Sequence, residues 1–168
     1  AQAQGARVTG IDVSGPVAAR AKAAFGGAPV AAVGADVREL PFADASFDAV
    51  YSMGTIEHFE ETALAVREIA RVLRPGGRAI IGVPNRHDPF LRPLLVEILW
   101  RLGWYDYGYE KSYSPAQLRA LVEQAGLIVR AQDGLLFMPG WLRMLDLWCH
   151  TRRSPLAPLA AAGVRLFG

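Results

Sequence analysis

Short apolar, β-branched runs alternate along this chain with stretches in which apolar residues return every three or four positions. That alternation predicts an α/β domain with a mostly parallel sheet and flanking helices. The first strand falls at residues 7–11 (RVTGI) and is closed by Asp12. Ser14, Gly15 and Pro16 then start a helix, since proline in a first turn forfeits no hydrogen bond. Val17, Ala21, Ala24 and Phe25 follow at helical spacing, and Gly26 and Gly27 stop it. A second strand at 29–33 ends near Asp36, and the loop VRELPFADAS leads to a third at 48–52. The next helix, about 60–73, puts Val66, Ile69, Ala70 and Leu73 on one face. Arg71 and Arg74 suit the negative end of its dipole, and Pro75, Gly76 and Gly77 predict a turn before an apolar strand at 78–83.

The pattern then breaks. Residues 84–113 are long and aromatic, with a helix expected at 94–102. Leu91, Leu94, Leu95, Ile98, Leu99 and Trp100 beside Tyr105, Tyr107, Tyr109, Glu110 and Lys111 give the mixture a substrate lid needs; a helix packed on the sheet explains it equally well. Ser114 and Gln117 form a capping box around Pro115, and the helix they start should bury Leu118, Leu121, Val122 and Ala125 before Gly126 ends it. A strand is expected at 127–131 and an amphipathic helix at 141–150. No internal repeat or domain boundary shows, so residues 1–168 read as one domain.

Composition narrows the function classes. No apolar run reaches the roughly 18 residues of a membrane span, and no secretory signal pattern is present. A single cysteine, Cys149, excludes an internal disulfide framework and a cysteine-based zinc site, so a cytoplasmic protein is the default. The net charge of +2 gives no case for nucleic acid. Its distribution is uneven: residues 1–133 carry 14 Lys+Arg against 15 Asp+Glu, and residues 134–168 carry 4 against 1. The basic tail with Trp141 and Trp148 suggests peripheral membrane contact through 134–153, although packing on the domain is the plainer reading.

Asp12 raises the first chemical question. A carboxylate closing a first strand is a natural acceptor for two ribose hydroxyls, although it can equally cap the helix that follows. Three later segments narrow the choice: GADVRELPFADASFDAVYSMGTIEHF, EIARVLRPGGRAIIGVPN and YSPAQLRALVEQAGLIV. In this order they resemble class I SAM-dependent methyltransferases, in the branch of the quinone-biosynthesis enzymes, over roughly residues 5–131. The resemblance implies a Rossmann-like sheet of seven strands and S-adenosyl-L-methionine as cofactor. It assigns Asp12 to the ribose diol, Asp36 to the adenine amino group, the Val37 N–H to a ring nitrogen, and Ser52 and Met53 to the methionine part. Ile56, Glu57 and His58 would begin the wall facing the acceptor.

Methyl transfer from a sulfonium needs mainly alignment and exclusion of water. A base is required only when the acceptor must lose a proton, and His58 is the candidate, with ordering of its loop as the competing role. His87, Tyr107 and Tyr109 are candidate substrate contacts; His87 and Asp88 could equally shape a turn with Asn85. Glu57, His58, His87 and Asp88 have no spacing that demands a metal. The acceptor expected is small and apolar or lipid-linked.

Only eleven residues with two glycines, Gly5 and Gly10, precede Asp12, whereas the family places a strand and a glycine-rich loop there. The chain is therefore expected to be a fragment lacking about 40–60 residues at its start. Its far end is a candidate for a cut as well: nothing after Arg165 resembles the family's final antiparallel strand, and residues 135–138 could substitute only within the limit set by Pro139 and Gly140. The absent strand would lie between those at 7–11 and 48–52, so the isolated chain should be aggregation-prone and bind cofactor poorly. Two rival readings stand beside the enzyme: a truncated, non-catalytic Rossmann-like domain, and a nicotinamide-dependent oxidoreductase. The latter explains Asp12 but not the later motifs, and Tyr107 and Lys111 have its Tyr-x-x-x-Lys spacing only within an irregular loop.

Overall fold

A computed structural model describes residues 5–24, 30–88, 92–105 and 108–134, with Pro155 and Pro158. In chain order these form β1 (Val8–Asp12), α1 (Gly15–Ala24), β2 (Val30–Gly34), β3 (Phe47–Met53), α2 (Thr62–Val72), β4 (Leu73–Gly82), α3 (Arg92–Arg101) and α4 (Pro115–Gln124), with a single 3-10 turn at Ile56–His58. The expected helix at 141–150, the apolar tail and Tyr107 lie outside the described residues. No helix among the described residues is long and apolar enough to cross a membrane.

The described residues cluster into two compact units, one running to Val83 and including Leu121–Leu127, the other holding Pro84–Ala120 and the residues from Ile128 onward. In the first unit the strands pair in parallel, as their apolar composition predicts: β1 with β2 from Val8↔Val30 to Asp12↔Gly34, and β3 with β4 up to Met53↔Gly82. No ladder joins β1 to β3 among the described residues. Each therefore has one edge without a ladder partner among the described residues.

The core of this unit gathers on α2. Its apolar residues recur with helical period, and Ala65, Val66, Ile69 and Val72 are buried. Val37, Ile56 and Leu73 complete the cluster, with Val50, Ala79, Ile81, Leu121 and Leu127 packed against it. On α1 Ala18 is buried and Val17 is exposed. One packing expectation is corrected. On α4 Leu118, Leu121 and Val122 are half-buried, and no residue of the helix is fully enclosed. Its capping box forms as expected: Ser114 N–H donates to Gln117 Oε1 at 2.9 Å and Gln117 N–H to Ser114 Oγ at 3.2 Å.

The Pro-Gly-Gly segment is not a turn between helix and strand. It lies inside β4, which begins directly after α2, and the ladder jumps from Phe47↔Leu73 to Ala49↔Arg78 around it. Gly76 has φ +79°, open to glycine without strain, and a Cβ on Gly77 would come within 2.9 Å of the Arg74 carbonyl oxygen. The segment is thus an irregularity that lets one strand absorb extra residues. The strand expected at 127–131 does not form a ladder among the described residues; those residues carry no regular secondary structure.

The second unit contains α3, whose Val96 is buried, and a loop closed by an isolated parallel bridge between Asn85 and Tyr113. Tyr105 donates its hydroxyl to Glu110 at 2.6 Å, and the Lys111 ammonium sits 5.8 Å from the Tyr109 ring centroid.

Candidate functional site

Four of the predicted cofactor residues lie at the carboxyl ends of parallel strands, where ligands bind in open α/β sheets. Asp12 closes β1 and is paired in register with Gly34, two residues before Asp36. Ser52 and Met53 close β3. The pairing of β1 with β2 brings the two acids to the same end of one ladder, a proximity that the 23 residues between them do not by themselves reveal.

Asp12 shapes the entry to α1 and retains more. Its Oδ1 accepts the Ser14 N–H at 2.7 Å, an Asx-type turn that leads the chain into the helix beginning at Gly15. An ionised carboxylate offers about four lone-pair sites, so this turn leaves acceptor capacity for a ligand's hydroxyls. Helix entry and ligand binding fit one geometry at Asp12.

Asp36 is held more firmly. Its carboxylate accepts the Arg38 backbone N–H at 2.8 Å, Arg38 Nη2 at 2.7 Å and Arg38 Nε at 3.1 Å. The hydrogen-bonded guanidinium holds this carboxyl below its usual range, against the opposing effect of burial. Arg38 continues to Glu61 Oε2 at 2.9 Å and lies 4.7 Å above the Phe59 ring. Sequence spacing gave no signal for this arginine, whose second partner lies 23 residues away.

A second clamp fixes the loop between β2 and β3. Arg71 of α2 donates to Glu68, to Asp44 Oδ1 at 2.8 Å and to the carbonyls of Phe42 and Leu40, while Glu68 Oε2 accepts the Leu40 N–H at 2.8 Å. Arg71 was expected only to suit the helix dipole; it fastens the loop carrying Asp36. Its hydrogen bonds depress the Glu68 carboxyl as Arg38 depresses Asp36. Both groups therefore contribute stability that is complete above their ordinary values of 3.8 and 4.5 and is lost as pH falls through their lower folded values. In urea unfolding followed against pH, Arg71→Gln should lower the midpoint at neutral pH and flatten its decline below 4.5. An unchanged acid limb would contradict the clamp.

The end of β3 is where an uncommitted polar atom sits. Ser52 is 7% exposed, and its Oγ has no hydrogen-bond partner among the described residues. Burying a hydroxyl unsatisfied is costly, and a polar ligand group at this strand end would relieve that cost. Met53 folds over Gly82, its partner across the ladder; a Cβ there would collide with the Met53 Sδ and Cε. Its sulfur is therefore used in packing between strands as well as in lining the strand end.

The turn after β3 divides its residues. Ile56 is fully buried in the core cluster, so the expectation that it faces an acceptor is corrected: its side chain packs with Val37 and Val66. Glu57 is 3% exposed, beside Gly54. His58 is half-buried, and its N–H donates to the Thr55 carbonyl at 3.2 Å, closing the turn. Val37 points its side chain into the core, compatible with a role for its backbone alone. His87 and Tyr109 belong to the second unit. His87 is exposed and its N–H donates to Asn85 Oδ1 at 3.0 Å, the turn-shaping alternative; Tyr109 is half open to solvent. No group of three metal-ligating side chains occurs among the described residues.

A family described as "Methyltransferase domain" matches residues 1–81. The ubiquinone biosynthesis O-methyltransferase of Methylobacterium nodulans is 33% identical over 141 residues, 80% of this chain and 56% of that protein. O-methyltransferase resE of Aspergillus sclerotiorum is 41% identical over 85 residues, 48% and 32% of the two chains. The solved SAM-dependent methyltransferase of Thermotoga maritima superposes with a TM-score of 0.60 at 25% identity, over 71% of this chain and 55% of its own. The chain thus spans about half the length of such relatives, or less. Its parallel pairing and these likenesses support the class I SAM-dependent methyltransferase family for this chain.

Proposed function

We propose that this chain forms the cofactor-binding part of an enzyme that moves a methyl group from S-adenosyl-L-methionine to a hydroxyl of a small acceptor, apolar or lipid-linked. The observation that carries the reading is the pairing of β1 with β2, which places Asp12 and Asp36 at one end of a parallel ladder. Asp12 would accept from the ribose diol with the capacity left beside its turn, and Asp36 from the adenine amino group beside the Val37 N–H. Ser52 Oγ, buried without a partner among the described residues, would meet the amino-acid end of the cofactor with Met53. When bound, the cofactor supplies an activated methyl on a positively charged sulfur, so the protein needs to align and desolvate more than to push.

The choice of oxygen as acceptor atom rests on the likeness to the two O-methyltransferases named above. An acceptor hydroxyl must lose a proton, and His58, in the turn after β3, would be the residue to take it. His87 and Tyr109, and Tyr107 outside the described residues, are retained as acceptor contacts, and residues 134–153 as a peripheral membrane contact.

The test is transfer of labelled methyl from S-adenosyl-L-methionine to a panel of phenols carrying short or long alkyl tails. Label on the phenolic oxygen, rising with tail length, is the expected result. Cofactor binding without transfer to any phenol would favour the non-catalytic alternative.

A further inference from the structure

The arginine at position 38 does more than neutralise a neighbour. Asp36 stands beyond the end of β2, where no ladder hydrogen bond fixes it. Three Arg38 donors nonetheless hold its carboxylate: the backbone N–H on Oδ1 at 2.8 Å, Nη2 on Oδ2 at 2.7 Å, and Nε shared between the two oxygens at 3.1 Å from each. With about four lone-pair sites on a carboxylate, this leaves roughly one direction in which it can accept. The same guanidinium reaches Glu61 at the N-cap of α2 and rests on Phe59. Both belong to the segment that follows the Ile56–His58 turn.

We propose that Arg38 is a positioning residue for base recognition: it locks the Asp36 carboxylate against Glu61 and Phe59, so that a single acceptor direction is presented to a purine amino group. The inference rests on the cofactor reading above. A carboxylate so fixed favours a six-amino purine and opposes a six-oxo purine, whose oxygen would face it acceptor to acceptor. One free to rotate discriminates less. Arginine is required because its planar fork can hold a carboxylate and a second acid at once, which a lysine ammonium does with no fixed geometry. The strap also makes Glu61 matter to base choice although its carboxylate is assigned no contact with the ligand.

The test compares dissociation constants for adenosine and inosine, read by ligand-observed saturation-transfer NMR, which registers weak binding. The unsubstituted chain should prefer adenosine. Arg38→Gln should cut that preference roughly threefold or more, Arg38→Lys should fail to restore it, and Glu61→Gln should cut it by less. The double substitution should do no more than Arg38→Gln alone, since both act on one strap. A general loss of structure would weaken both nucleosides alike and leave the ratio standing. If Arg38→Gln does not fold, Glu61→Gln decides, because Glu61 is on the surface. A ratio unchanged by the substitutions overturns the inference while leaving the cofactor reading in place. Failure of the unsubstituted chain to bind either nucleoside overturns both.

Discussion

Asp12→Asn weakens S-adenosyl-L-methionine binding about tenfold or more while leaving the melting temperature of the chain nearly unchanged. The two halves of this expectation come from the two jobs of one side chain. Asp12 Oδ1 accepts the Ser14 N–H at 2.7 Å, and an asparagine side-chain oxygen makes the same Asx-type turn before a helix, so the fold should not notice. A ribose diol presents two donors. The carboxylate can receive both beside its turn, whereas the asparagine amide has one acceptor oxygen and adds two donors of its own. Hydrogen bonds to a charged acceptor contribute about 1.5–3 kcal/mol, which corresponds to roughly 10–150-fold in affinity. Asp12→Ala should lose both functions, with about 1 kcal/mol of stability gone in addition. Isothermal titration and thermal melting of the three proteins separate the roles. Equal cofactor affinity in Asp12→Asn would confine Asp12 to the helix entry.

Ile69→Ala is the substitution expected to damage the fold most. Ile69 is 1% exposed at the centre of the α2 face, surrounded by Ile56, Ala65, Val66 and Leu73. Removing its three outer carbons leaves a cavity among residues that cannot all collapse inward, a loss of about 2–5 kcal/mol. Domains are typically stable by only about 5–15 kcal/mol, so urea unfolding should begin well before that of the unsubstituted chain. Leu64→Ala, on the exposed side of the same helix, should stay within about 0.5 kcal/mol. A similar cost at both positions would mean that α2 does not organise the core. Because α2 also carries Glu68 and Arg71, which pin the loop after Asp36, Ile69→Ala should weaken cofactor binding through stability alone.

How much of this could be read beforehand depends on the range of the interaction. The strands at 8–12, 30–34 and 47–53 were legible because each is a short apolar run closed by polar or small residues. The capping box at Ser114 and Gln117 was legible because both partners lie within one helical turn. What failed was non-local or depended on close approach. The Pro-Gly-Gly segment reads as a turn by composition, yet β4 runs through it because Gly77 permits a close approach to Arg74 and Asp48 that a Cβ would obstruct. Which face of α1 turns inward was not legible, because it depends on where β1 and β2 lie; Ala18 is buried and Val17 exposed. Ile56, next to a plausible acceptor wall, belongs to the core because the 3-10 turn points it at Val37 and Val66. In the site itself, the acids were visible from their positions after strands. The straps that hold them, Arg38 to Glu61 and Arg71 to Asp44, span 23 and 27 residues and could not be seen.

The most direct measurement is saturation-transfer NMR of S-adenosylhomocysteine with the unsubstituted chain and with Asp12→Asn. The account predicts saturation on the adenine and ribose protons, competed away by S-adenosyl-L-methionine and reduced on the ribose protons in the variant. Saturation that is absent, or that S-adenosyl-L-methionine cannot compete away, would contradict the claim that the acids closing β1 and following β2 hold a nucleoside cofactor.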